Sequence, residues 1–218
     1  MDLLNLKALA ATPLDTDPFE YVVVEGFLGE ENLPAITADF PDMQDAGSFP
    51  LSELKVGPGI AALIEQMSGP AFRKAIEQKF DVDLNQAATM FTLRGRCDAR
   101  DGRIHTDSKK KIITVLVYLN DAEWGAEGGR LRLLRSGQDL NDVAAEVSPL
   151  FGTMLAFRRS DHSWHGHEPY IGPRRLLQMN WVVSDKIAAW ELWRHRISAA
   201  VKRLSRGWAG SHPKPHAA

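Results

Sequence analysis

The spacing of apolar residues changes character near Ala87. Before that point, apolar positions recur at helical intervals, most clearly over residues 57–80. Gly69-Pro70 interrupts that run, which predicts two helices where the periodicity alone would give one. Tyr21-Val22-Val23-Val24-Glu25-Gly26-Phe27 is rich in β-branched and aromatic residues and predicts a strand. Residues 1–18 predict a short helix and a loop. Gly29-Glu30-Glu31-Asn32 opens another helix, with its acids at the positive end of the dipole. From residue 87 to 184, short apolar runs alternate with Gly, Asp, Asn and Pro turns, which predicts an all-β barrel or sandwich. The clearest strands are 90–94, 111–119, 130–134, 152–157, 163–168 and 175–183. An amphipathic helix over about 186–204 closes the pattern, with Ile187, Trp190, Ile197, Val201 and Leu204 on one side. The expectation is one domain over 1–218: supporting strand and helices in 1–86, a β core in 87–184, and a helix and tail in 185–218.

Composition narrows this little. With 218 residues, 44% hydrophobic and 25% charged, the chain has the make-up of an ordinary globular protein. The formal charge of −2 gives no global case for a nucleic-acid partner, although residues 186–218 carry +6 and the remainder −8. One cysteine, Cys97, rules out an internal disulfide or a thiolate metal cluster. The N-terminus lacks a basic region ahead of an apolar stretch, and no apolar run approaches the roughly 18 residues a membrane span requires. A cytoplasmic location is the expectation.

The chemistry concentrates in two short segments. His105-Thr106-Asp107 places an imidazole and a carboxylate two apart, so that in extended chain both project from one face. Fifty-eight residues after Asp107, the stretch containing His162, His165 and His167 offers further imidazoles. Two imidazoles and one carboxylate on one face of iron leave positions open for other ligands. Downstream, residues 174–183 split into two faces. Arg175, Leu177, Met179, Trp181 and Val183 form the more apolar one, expected to point inward, and Arg174, Leu176, Gln178, Asn180 and Val182 form the other. On that reading Arg175 is buried and requires an anion.

Taken in order, His105-Thr106-Asp107, Tyr118-Leu119-Asn120, Gly128-Gly129-Arg130-Leu131-Arg132, Ser160-Asp161, His165 and Arg175 make a pattern. On these motifs the chain resembles the 2-oxoglutarate- and Fe(II)-dependent dioxygenases, in their prolyl-hydroxylase-like branch, over about half its length. The resemblance implies a double-stranded β-helix (jelly-roll, cupin-like) core with flanking helices. It implies Fe(II) held by His105, Asp107 and His165, the family spacing favouring His165 over its two neighbours. It also implies a 2-oxoglutarate co-substrate held by Arg175 and Tyr118, with Leu131 and Trp181 lining its pocket. Met179 departs from relatives that place a Thr hydroxyl there. Related halogenases replace the carboxylate ligand with Gly or Ala, so Asp107 implies hydroxylation, with release of succinate and CO2 and with ascorbate supporting turnover in vitro.

Seven basic residues (Arg94, Arg96, Arg100, Arg103, Lys109, Lys110 and Lys111) stand against three acids around the first motif. That balance is compatible with an anionic substrate, such as a sugar acid or amino acid, beside the option of a peptidyl residue. Arg94, Arg96 and His167 are the candidates to face it. The rival reading is a cupin-like barrel that binds metal or sugar and has no use for Tyr118 or Arg175.

Overall fold

The computed structural model describes residues 2–121, 123–184 and 190. Among these residues, nine strands form two sheets. The larger contains β1 (Tyr21–Val24), β2 (Ser48–Pro50), β3 (Ala88–Cys97), β4 (Lys111–Tyr118), β7 (Met154–Arg158) and β9 (Gly172–Val182), in the order β1-β7-β4-β9-β3-β2. The smaller contains β5 (Leu131–Leu134), β6 (Val143–Val147) and β8 (His165–Gly166), in the order β6-β5-β8. Every pairing is antiparallel. This is the expected mainly β, jelly-roll architecture with flanking helices. No helix among the described residues is long and apolar enough to cross a membrane.

The helices α1 (Leu6–Ala11), α2 (Leu33–Ala38), α3 (Pro58–Ser68) and α4 (Pro70–Phe80) support the large sheet. The break between α3 and α4 falls where Gly69-Pro70 predicts it. Gly69 ends one helix in an extended conformation and starts the next, and Pro70 takes a first-turn position where its missing N–H costs nothing. β2 and β6 were not anticipated. β2 has three residues and includes Pro50, and β6 is only half-buried, so neither shows a strong apolar alternation. Of the expected C-terminal helix only Trp190 is described, lying under the Lys110 ammonium; the rest falls outside the described residues.

Two cores result. On one face of the large sheet, Ile113, Val115, Val117, Leu177, Met179 and Trp181 pack against Ile60, Leu63, Phe72 and Ile76 of the helices. On the other, Leu116, Tyr118, Leu155, Phe157 and Leu176 meet Leu131, Leu133 and Val147 of the small sheet. β4 and β9 lie at the centre of the large sheet, so both of their faces are covered and apolarity alone does not say which one lines the barrel.

The expected alternation of β9 holds, but its faces are exchanged. The more apolar face is the helix-packing one, and Trp181 stacks on Phe72 with ring centroids 5.9 Å apart. Trp181 therefore closes no co-substrate pocket, and Met179 sits beside it in the same core. Trp181→Ala is expected to destabilise the protein by about 3–5 kcal/mol, the cost of an aromatic cavity, while leaving the KM for 2-oxoglutarate near its original value. Denaturant unfolding alongside a succinate assay separates the two effects.

Candidate active site

His105 and His165 are brought together by backbone pairing. Each donates its N–H to the other's carbonyl at 3.0 Å, forming an isolated antiparallel bridge. Their rings lie 4.3 Å apart. Asp107 reaches the same point, and one ligand atom from each of the three residues lies within 4.8 Å of the others. His162, by contrast, sits exposed on the preceding turn. His167 is buried two residues beyond His165, with its ring along the same cavity.

The hydrogen bonds orient each donor. His105 Nδ1 lies 2.8 Å from the Arg103 carbonyl and His165 Nδ1 lies 3.0 Å from the Ser163 carbonyl. A carbonyl can only accept, so both Nδ1 atoms carry the proton and both Nε2 lone pairs are left for a metal. Burial pushes the His165 pKa down to about 4, and the charge of His105 adds to this against the pull of Asp107. Its lone pair is thus free at neutral pH. Burial alone would raise the Asp107 pKa, but the Lys111 charge beside it and hydrogen bonds from Lys111 and Thr114 hold it well below the usual carboxylate range. Lys111 Nζ lies 2.7 Å from one oxygen and Thr114 Oγ1 lies 2.5 Å from the other. Asn180 in turn donates to Thr114 at 2.8 Å, and Gln178 to Asn180 at 3.0 Å. Two oriented imidazoles and an ionised carboxylate suit an octahedral divalent metal with open positions.

A half-open cavity of about 120 Å³ extends from these three residues along the barrel, past Leu116, Leu131, Phe157 and Leu176. At its inner end stands Arg174, only 3% exposed. Its Nε donates to the Gly129 carbonyl at 2.7 Å, and Nη2 donates to the Tyr118 hydroxyl at 3.3 Å. No carboxylate among the described residues lies within ion-pair distance of it. Gly129 matters here. Its φ of +83° turns the carbonyl to Arg174, and a side chain would meet the Trp124 ring at 2.9 Å.

Arg175, assigned to this role from the sequence, turns away. It enters a separate surface hollow with Asn120, Asp121, Trp124 and Tyr170, and its guanidinium lies 5.5 Å from the centre of the Phe40 ring. The buried cation that faces the cavity is its neighbour, for the reason that exchanged the faces of β9. Leu131 lines the cavity as expected, and Tyr118 stands buried behind Arg174, its hydroxyl pKa raised by desolvation. Arg94 lines the cavity but is paired with Asp101 at 3.0 Å. Arg96 follows a bulge in β3 and does not line it. Gln178, Thr114 and Asn180 were not singled out from sequence. Their signal was available, since they share a strand face with Arg174 or pair with that face.

A jelly-roll that brings two imidazoles and a carboxylate together, with a buried guanidinium on the same cavity, suits a mononuclear metal centre of the non-haem type. Residues 92–183 match the model of the 2OG-Fe(II) oxygenase superfamily, and over that stretch the chain is similar to the 2-oxoglutarate- and Fe(II)-dependent oxygenases. No curated protein sequence matches it. Among solved structures, the fold is similar to that of a prolyl 4-hydroxylase from Phytophthora capsici, with a TM-score of 0.57, 17% identity, and 90% of this chain and 76% of that one covered. A prolyl-4-hydroxylase from Pseudomonas putida aligns with a TM-score of 0.51 at 17% identity, over 81% of this chain and 96% of that one. HygX from Streptomyces hygroscopicus, with nickel and 2-oxoglutarate bound, aligns with a TM-score of 0.52 at 12% identity, over 74% and 81%.

Proposed function

We propose that the protein hydroxylates a C–H bond of a small molecule or a peptidyl side chain presented at the cavity mouth, with His105, Asp107 and His165 as iron ligands. The observation that carries this reading is Arg174. A buried guanidinium without a carboxylate partner, at the end of a cavity that begins at three metal-type donors, suits a dicarboxylate lying between them. Iron and 2-oxoglutarate, when bound, would supply O2 activation, one oxygen atom passing to the substrate C–H and the other to succinate, with CO2 released. Arg174 and the Tyr118 hydroxyl would hold the distal carboxylate through charge-assisted hydrogen bonds. Leu116, Leu131 and Phe157 keep water from the space between the two ends. His167 faces the substrate as a neutral imidazole. Burial, with the Arg174 charge next, pushes its pKa down to about 4, and its Nδ1 is tied to the Glu168 carbonyl at 2.8 Å. Arg94 lines the same cavity.

The basic residues near the mouth weaken the case for a strongly anionic substrate. Arg94 is held by Asp101, Lys109 lies 3.8 Å from Asp161, and Lys111 is paired with Asp107. Steering would rest on Arg96, Arg100, Arg103 and Lys110, the last of which lies over the Trp190 ring. The decisive experiment supplies purified protein with Fe(II), 2-oxoglutarate, O2 and ascorbate, and screens pooled amino acids, peptides and acidic sugars. The expected result is succinate formation that a chelator abolishes and Fe(II) restores, with a product heavier by one oxygen atom in the pool containing the substrate. Absence of iron-dependent succinate in every pool would sink the reading.

A further inference from the structure

Three consecutive lysines meet three different fates. The Lys109 side chain is 80% exposed, and Lys110 lies 3.7 Å over the Trp190 ring. Lys111 turns inward, its side chain 9% exposed, and rests on Asp107, whose side chain is 10% exposed. An ammonium carries three donors, yet among the described residues Lys111 Nζ makes one hydrogen bond, at 2.7 Å to Asp107. The compensation for its burial therefore comes from a single carboxylate, which is the one assigned to the metal. Two cations converge on one anion.

We propose that Lys111 is a built-in competitor of the metal: its ammonium neutralises Asp107 in the empty site and is opposed by any divalent cation that arrives there. This rests on the reading of His105, Asp107 and His165 as the metal centre. Without a metal, the pair Asp107–Lys111 is close to neutral and the carboxylate stays ordered. A divalent ion adds two positive charges within a few ångströms of the ammonium, in a setting where charges are poorly screened. Thr114, which binds the other oxygen, keeps the carboxylate in position whether or not Lys111 is present. The lysine thus lowers metal affinity and balances the carboxylate charge in the empty site. A residue that merely positioned Asp107 would have the reverse effect on affinity.

Mn(II) binding to the full chain, measured by calorimetry in metal-free buffer, tests this. Lys111→Gln is expected to bind Mn(II) tighter than the original, on the order of tenfold, the size of one charge–charge interaction at intermediate screening. Lys111→Arg keeps the charge and should stay within about twofold. Equal or weaker binding by Lys111→Gln overturns the proposal. Should Lys111→Gln lose its fold without metal, recovery of its thermal transition on adding Mn(II) supports the proposal, and failure to recover overturns it. Asp107→Ala is the control for the underlying reading: if it binds Mn(II) as tightly as the original, the metal centre itself is misassigned.

Discussion

Replacing Arg174 with Ala is expected to raise the KM for 2-oxoglutarate by about a hundredfold or more, whereas Arg175→Ala leaves it within about twofold. The magnitude follows from removing one partner of a buried, charge-assisted contact, which costs about 2–5 kcal/mol, where each 1.4 kcal/mol is a factor of ten. The site offers no substitute. Tyr118 contributes a single hydroxyl, and it donates or accepts in the same small space where Arg174 Nη2 already meets it at 3.3 Å. Arg175, in contrast, lies in the hollow beyond the helix-facing side of β9, where its guanidinium borders Phe40. Metal affinity should survive Arg174→Ala, because the three donors at the mouth are fixed by their own backbone and side-chain partners. Steady-state succinate release for the two variants, with Mn(II) titration beside it, checks all of this. A large effect at Arg175 with none at Arg174 would restore the assignment that sequence spacing suggests.

That contrast shows where the sequence was legible and where it was not. The two β9 faces follow from strand period alone, and the residues divide as the period requires. Which face looks into the barrel does not follow. An enzyme that fills its barrel with a polar co-substrate lines it with Arg, Gln and Asn, and gives the richer apolar face to the helices. Counting apolar residues then selects the wrong side. The Gly69-Pro70 break was legible because glycine and proline act locally, without reference to the rest of the fold. The nearness of His105 and His165 was legible only as a pattern of motifs, since the bridge that joins them spans sixty residues. Lys111 is visible in the sequence only as one of a basic run that is compatible with an anionic substrate. Nothing in three adjacent lysines says which one turns inward; the start of β4, four residues after Asp107, decides it.

The second large effect concerns Asp107 and its partner together. Asp107→Ala is expected to abolish succinate formation and to lower Fe(II) affinity by well over a hundredfold, since loss of an outer-shell partner alone costs up to about that much. It should also destabilise the metal-free protein by about 3–5 kcal/mol, because the Lys111 ammonium is left buried without its counter-charge. Adding Lys111→Met to Asp107→Ala removes that second penalty but not the first. The double variant should unfold near the original denaturant midpoint and remain inactive. His105→Ala separates the same two quantities from the other direction. Its ring is exposed at the rim and its backbone bridge to His165 needs no side chain, so activity should vanish with little change in stability. Chemical denaturation of the metal-free proteins gives the interaction energy of the Asp107–Lys111 pair as a double-mutant cycle. An additive cycle would mean that the two side chains, though 2.7 Å apart in the fold, are held in place by their surroundings and not by each other.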